Sequence, residues 1–116
     1  MSEVRIVVPL LPPSVNRYVR HIRGGGHYLS PGAKAFIDAM AIFARRKSCF
    51  GKEYEVEFTV YHGKNDRGDL DNRAKLVLDS LVKAGVIHSD AAVVDLYMHK
   101  RKDNENPRTE ITVRSR

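Results

Sequence analysis

Cysteine is almost missing from this chain. Cys49 is the only one in 116 residues, so no internal disulfide can form and no Cys-rich zinc site can be built. Long apolar runs are missing too: none approaches the ~18 residues of a membrane span, so no membrane partner is expected. The first residues carry Glu3 and Arg5 and lack an apolar core, so no secretory signal is expected. All this fits a cytoplasmic protein, in which Cys49 reads as a small, partly buried side chain. Acids, finally, are scarce in the first half. Residues 1–50 hold eight Lys/Arg against two Asp/Glu, whereas residues 51–116 hold twelve of each. The whole formal charge of +6 therefore sits in the first half. A basic flank beside an acidic pocket suits a polyanion held by its backbone.

A composition 42% hydrophobic and 29% charged is that of a globular chain, and residues 1–116 are expected to form one domain. Glu3 to Val8 is β-branched and ends at Pro9, a strand. Pro12-Pro13 forces extended chain. Then comes a basic loop: Asn16, Arg17, Tyr18, Arg20, His21 and Arg23 precede Gly24-Gly25-Gly26. Its guanidiniums can grip phosphates and its tyrosine can stack a base; a solvated basic hairpin explains the same residues. Tyr28-Leu29 reads as a short strand.

Ser30-Pro31 announces a helix, with Ser as N-cap and Pro at the first position. Its apolar spacing runs through Ala35, Phe36, Ala39, Met40, Ile42 and Phe43, with Phe36, Met40 and Phe43 expected in the core. Arg45-Arg46-Lys47 is expected to form its last turn, and Gly51 to break it. Glu53 to His62 alternates with period two, a strand with one buried face. A second helix is expected over Asp71 to Lys83, stopped by Gly85. Val93 to Lys102 reads as a strand, and Thr109 to Val113 as a last strand returning from it as a hairpin. The fold class is α+β (mixed α/β): a single small domain with a mixed β-sheet and two helices packed on it.

The chemistry concentrates in Gly68-Asp69-Leu70-Asp71-Asn72-Arg73-Ala74-Lys75 and in Asp90. Two carboxylates one residue apart, an amide and a lysine stand at the mouth of a helix, and a third carboxylate follows that helix. Acids this close repel, and a hard divalent cation such as Mg²⁺ relieves the repulsion through oxygen ligands. A helix N-cap explains one such acid but not the set. Asp90 returns after about 20 Å of helix and reaches the same site only if its loop folds back. Lys75, at i+4 from Asp71, can offset phosphate charge or pair with Asp79. Other motifs fail on spacing: an EF-hand opening at Asp69 needs a glycine where Ala74 stands and an acid where Ser80 stands. The five histidines show no zinc spacing with Cys49.

Pro12-Pro13-Ser14-Val15-Asn16-Arg17, Asp69-Leu70-Asp71-Asn72, Lys75, Asp79-Ser80-Leu81, Lys83-Ala84-Gly85 and Asp90-Ala91-Ala92-Val93-Val94-Asp95 together resemble the RusA family of Holliday-junction resolvases over nearly the whole chain. The resemblance implies a small bacterial or phage homodimer that binds four-way DNA junctions and makes two symmetrical nicks with Mg²⁺, or with Mn²⁺ in its place. It implies Asp69, Asp71 and Asp90 as metal-binding catalytic acids and Lys75 as the catalytic lysine. Asn72 is read as a supporting residue that orients a ligand, and Asn16, Arg17, Arg20, Arg23 and Arg67 as DNA-binding residues. Two departures stand out: Ser89 replaces the first of two consecutive acids common in the family, and Gly68, preceded by Arg67, replaces a basic residue. A nuclease acting on flaps or forks, and a non-catalytic DNA-binding module, are the competing readings.

Overall fold

A computed structural model describes residues 2–13, 19–21, 27–64 and 70–116. The elements are strand β1 (Glu3–Val8), strands β2 (Val19–His21) and β3 (His27–Leu29), helix α1 (Pro31–Phe43), strand β4 (Tyr54–His62), helix α2 (Ala74–Lys83), and strands β5 (Val93–Lys102) and β6 (Arg108–Ser115). Two 3₁₀ turns, Asp71–Arg73 and Asp90–Ala92, lead into α2 and β5. Four strands form a mixed sheet in the order β1-β6-β4-β5, with β4 and β5 parallel and the other pairs antiparallel. The α+β class expected from the pattern is the one observed.

Period-two alternation makes the sheet two-faced. On one side Val4, Ile6, Val8, Tyr54, Val56, Phe58, Val60, Ile111 and Val113 are buried, and they meet Ala33, Phe36 and Met40 of α1 and Leu76, Val77 and Leu81 of α2 in a common core. The Ser30 hydroxyl accepts from the Ala33 amide at 3.2 Å, which satisfies one open donor at the start of α1. At the far end of α2, Gly85 takes φ 78°. There Val86 N–H donates to Leu81 O and Gly85 N–H to Val82 O, both at 3.0 Å. This is a Schellman closure, and its left-handed residue is glycine because a Cβ would be strained there.

The other face carries a lattice of ion pairs. Arg114 reaches Glu3, Glu55 and Glu57, so one guanidinium ties three strands. Arg116 pairs with Glu55 and Asp95, His99 Nε2 lies 2.8 Å from Glu57, and Arg108 pairs with Asp103 and Glu110 while stacking 3.8 Å over Tyr61.

Several expectations need correction. β6 does not form a hairpin with β5; it pairs with β4 and β1, so β4 lies between the two. Adjacency in sequence suggested adjacency in the sheet, but the parallel β4–β5 pair occupies that edge. Phe43 is not a core residue: it is 45% exposed, and Ile42 67%. The buried stripe runs through Ala33, Phe36, Met40 and Ala44, and Phe43 stands roughly 100° away from Ala44 around the axis. Arg45, Arg46 and Lys47 lie beyond α1 rather than in its last turn; Arg46 takes φ 63° and Lys47 Nζ donates to Arg5 O at 2.6 Å. Gly51 does not end α1. It stands where a Cβ would come within 2.6 Å of Ser115 Cβ, letting the chain slip past the end of β6. The stretch read as a basic loop contributes strand β2, paired with β3 in the register Val19↔Leu29, Arg20↔Tyr28 and His21↔His27.

The lattice makes a pH prediction. Arg116 and Arg114 hold Glu55 below the usual carboxylate range, His99 foremost does so for Glu57, and Arg108 for Asp103. Groups depressed in the folded state contribute stability above the unfolded carboxylate pKa of ~4.3 and lose it as pH falls through their lower folded values. Arg114→Met is therefore expected to lower Tm at pH 7, with the gap to wild type closing as pH falls below ~4. Thermal melts from pH 7 to pH 3 check this; a constant gap would mean that the lattice contributes by packing alone.

Candidate active site

The acidic motif enters the fold at the start of α2. Asp71 opens the 3₁₀ turn and is exposed; Asn72 is half-buried behind it. Leu76, Val77, Ser80 and Leu81 are buried, which fixes the roll of α2 about its axis. The Ser80 hydroxyl avoids a polar penalty by donating within the helix, 2.8 Å to Leu76 O and 2.9 Å to Val77 O. With that roll set, Asp71, Lys75 and Asp79 follow one another at i, i+4, i+8 along the same side. Lys75 Nζ lies 3.6 Å from Asp79 Oδ2, as the spacing predicted.

Asp90 comes from the opposite end of α2. Its loop is anchored before it arrives: Val86 and Ile87 are buried, Val86 O accepts from Cys49 N–H at 2.9 Å, and His88 N–H donates to Tyr54 Oη at 3.4 Å. The Tyr54 and His88 rings meet at 5.3 Å. Ser89 then caps the turn, its hydroxyl accepting from Ala91 N–H at 3.1 Å. Asp90 is exposed and shares a shallow cleft of about 240 Å³ with Asp79, Val82, Lys83, His88 and Ser89. The ten residues of α2 put about 15 Å of helix between the two acid-bearing turns. Among the described residues no three His, Cys, Asp or Glu side chains are grouped to hold an ion. Asp69, Asn16, Arg17, Arg23 and Arg67 lie outside the described residues; Arg20 lies on β2, opposite Tyr28 in the register.

The donor chemistry fits a hard cation. Among the described residues the carboxylates of Asp71 and Asp90 take no hydrogen bond or ion pair, whereas the acids of the sheet lattice are answered by Arg or His. Two exposed, unengaged carboxylates are oxygen ligands without a competing protein partner.

Three further residues shape the site without having been singled out as functional: Tyr54 and Ser89, which anchor the Asp90 turn, and Arg73. Arg73 is only 5% exposed, and its Nη1 donates to Pro12 O at 2.5 Å, joining the acidic turn to a point 61 residues earlier. A signal was available, since Arg73, Val77 and Leu81 share the i, i+4, i+8 stripe that α2 buries.

A small α+β domain with exposed acids at both ends of one helix belongs among the candidates for hydrolysis of nucleic acid, and comparison with known proteins shows nuclease relatives. Residues 9–114 match the family model described as endodeoxyribonuclease RusA. The chain is 36% identical to a crossover junction endodeoxyribonuclease RusA of Escherichia coli K12, over 97% of this chain and 95% of the relative. It is 34% identical to a Shigella sonnei protein and 33% to an Enterobacteria phage 82 protein of the same name, with the same coverage. The chain belongs to the RusA family of endodeoxyribonucleases.

The position where the family often carries an acid is thus a capping position here, and an acid can cap as a serine does. Ser89→Ala is expected to destabilise the protein by about 1 kcal/mol, the typical worth of a cap, and Ser89→Asp to leave stability unchanged. Urea denaturation of the two variants beside wild type checks this; equal losses would remove the capping role.

Proposed function

We propose that this protein is a Mg²⁺-dependent, structure-selective endodeoxyribonuclease that resolves four-way DNA junctions by paired symmetrical nicks, working as a homodimer in the bacterial cytoplasm during recombination and repair. The observation that carries the reading is the pair of unengaged carboxylates, Asp71 and Asp90, at the two ends of α2 in a chain of this family. Mg²⁺, when bound, would supply an activated water and relieve charge on the scissile phosphate. Mn²⁺ prefers the same oxygen donors.

Each residue has a role in this scheme. Asp69 and Asp71 offer carboxylates from one turn, and Asn72 steadies a ligand beside them. Lys75 neutralises phosphate charge. Its pair with Asp79 is exposed on the lysine side, and a surface i,i+4 pair contributes only ~0.3–0.5 kcal/mol, so Lys75 turns to a phosphate at small cost. Asp90 supplies the third carboxylate. Because a helix length separates it from Asp71, a shared ion needs two chains, and the dimer provides them by setting the Asp90 turn of one chain against the Asp71 turn of the other. A C2 dimer also offers two identical sites to a junction that needs two symmetrical cuts. Asn16, Arg17, Arg20, Arg23 and Arg67 hold the DNA backbone.

The test is cleavage of a labelled mobile four-way junction with Mg²⁺, beside duplex, fork and single-strand controls and the Asp69→Asn protein. Paired symmetrical nicks in the junction, lost in Asp69→Asn while junction binding is kept or tightened, are expected. Nicking of forks or flaps in preference to junctions would transfer the protein to another branched substrate. Tight junction binding without nicks from wild type would make it a binding module.

A further inference from the structure

Arg73 is out of place on composition grounds. It occupies the stripe that α2 turns to the core, where an apolar side chain would bury at no electrostatic cost, yet it carries a guanidinium that is 5% exposed. Withdrawing such a charge from water costs several kcal/mol unless geometry and hydrogen bonds offset it. One group that it holds is the carbonyl of Pro12, to which Nη1 donates at 2.5 Å. Pro12 is itself buried. The segment around it is gripped at two further points, since Thr109 Oγ1 donates to Leu10 O at 2.8 Å and Pro13 lies against Gly32 at the start of α1. This is the last described stretch of chain before the basic residues that lead into the β2–β3 hairpin.

Arg73 therefore touches the two halves of the reaction apparatus at once. Its backbone ends the turn that begins with Asp71, and its side chain holds Pro12, which precedes the start of β2 by seven residues in sequence. We propose that Arg73 is a positioning residue: by clamping the Pro12 carbonyl beneath the acidic turn, it sets the hairpin that holds DNA at a fixed distance and angle from the acids that cut it. The inference rests on the nuclease reading above and adds a residue to which that reading gives no role. A guanidinium suits the task because it has five donors in a rigid plane, whereas a lysine offers one flexible point charge.

Arg73→Met and Arg73→Lys test this. Each is first compared with wild type by circular dichroism and Tm. Single-turnover nicking of the four-way junction is then measured at saturating protein with Mg²⁺, the nicked phosphates are mapped to single-nucleotide resolution, and amide hydrogen exchange is followed in the β2 and β3 strands. A displacement of the held phosphate by about 1 Å costs roughly a hundredfold in rate, so folded Arg73→Met is expected to nick ten- to a hundredfold more slowly at unchanged junction affinity. Its cuts are expected to spread to neighbouring phosphates, and Arg73→Lys to recover part of the rate and of the precision. Exchange in β2 and β3 is expected to rise in Arg73→Met while the core strands β4 and β6 stay protected. A residue that served stability alone would lower Tm and leave cut position and hairpin exchange untouched; that result overturns the proposal. If Arg73→Met does not fold, Arg73→Lys decides, and wild-type rate, precision and exchange from it overturn the proposal equally. Failure of wild type to nick any junction would instead sink the nuclease reading, and the exchange comparison would still decide whether Arg73 anchors the hairpin.

Discussion

Parallel pairing of β4 with β5 is the constraint on which the rest of the molecule depends. Two parallel neighbours cannot be joined by a tight turn; the chain must travel the length of the sheet and start again. Here α2 makes that journey. Its buried residues press it onto the sheet, and the Schellman closure at Gly85 ends it where the chain must turn back toward β5. The acid-bearing turns are the two ends of this crossover, one entering α2 and one leaving for β5. Their separation follows from the topology.

The distribution of charge follows the same division of labour. On the sheet face away from the helices, carboxylates are answered by guanidiniums and by His99, which holds Glu55, Glu57 and Asp103 below the usual carboxylate range. Such partly exposed pairs add register and alignment more than net stability. At the ends of α2 the acids Asp71 and Asp90 have no such answer. An acid without a protein partner keeps its oxygens free for an external cation, as the proposed function requires of these two. Arg73, buried at the end of the turn that Asp71 opens, donates to Pro12 O, so the acidic turn and the segment before β2 are joined through one side chain.

Much of this was legible in the sequence because it is local. The β1 and β4 alternations, the Ser30-Pro31 start of α1, the Gly85 stop and the Lys75–Asp79 pair each depend on residues a few positions apart. The DxDN-x-x-K block and the later Asp90 were legible as a family pattern. What could not be read is what depends on distant partners. The pairing of β6 with β4 instead of β5 is decided by which strand α2 brings to the edge, not by the short turn at Asp103–Pro107. Phe43 looked like core because it is large and apolar, but the roll of α1 gives that place to Ala44. How Asp90 could join Asp71 was likewise not readable, because a helix of ten residues stands between their turns and only the fold-back of its loop, or another chain, could close that gap. Arg73 drew no reading of its own because Pro12, to which it donates, is 61 residues away.

The central claim is that the acids at both ends of α2 serve one divalent site. It is tested most directly by titrating Mn²⁺ into ¹⁵N-labelled protein and following paramagnetic broadening of the amides around Asp71 and Asp90. The account predicts that both sets broaden with one midpoint, and that Asp71→Asn weakens broadening around Asp90 as well as around residue 71. Broadening confined to one end, or two midpoints that mutate independently, would contradict it.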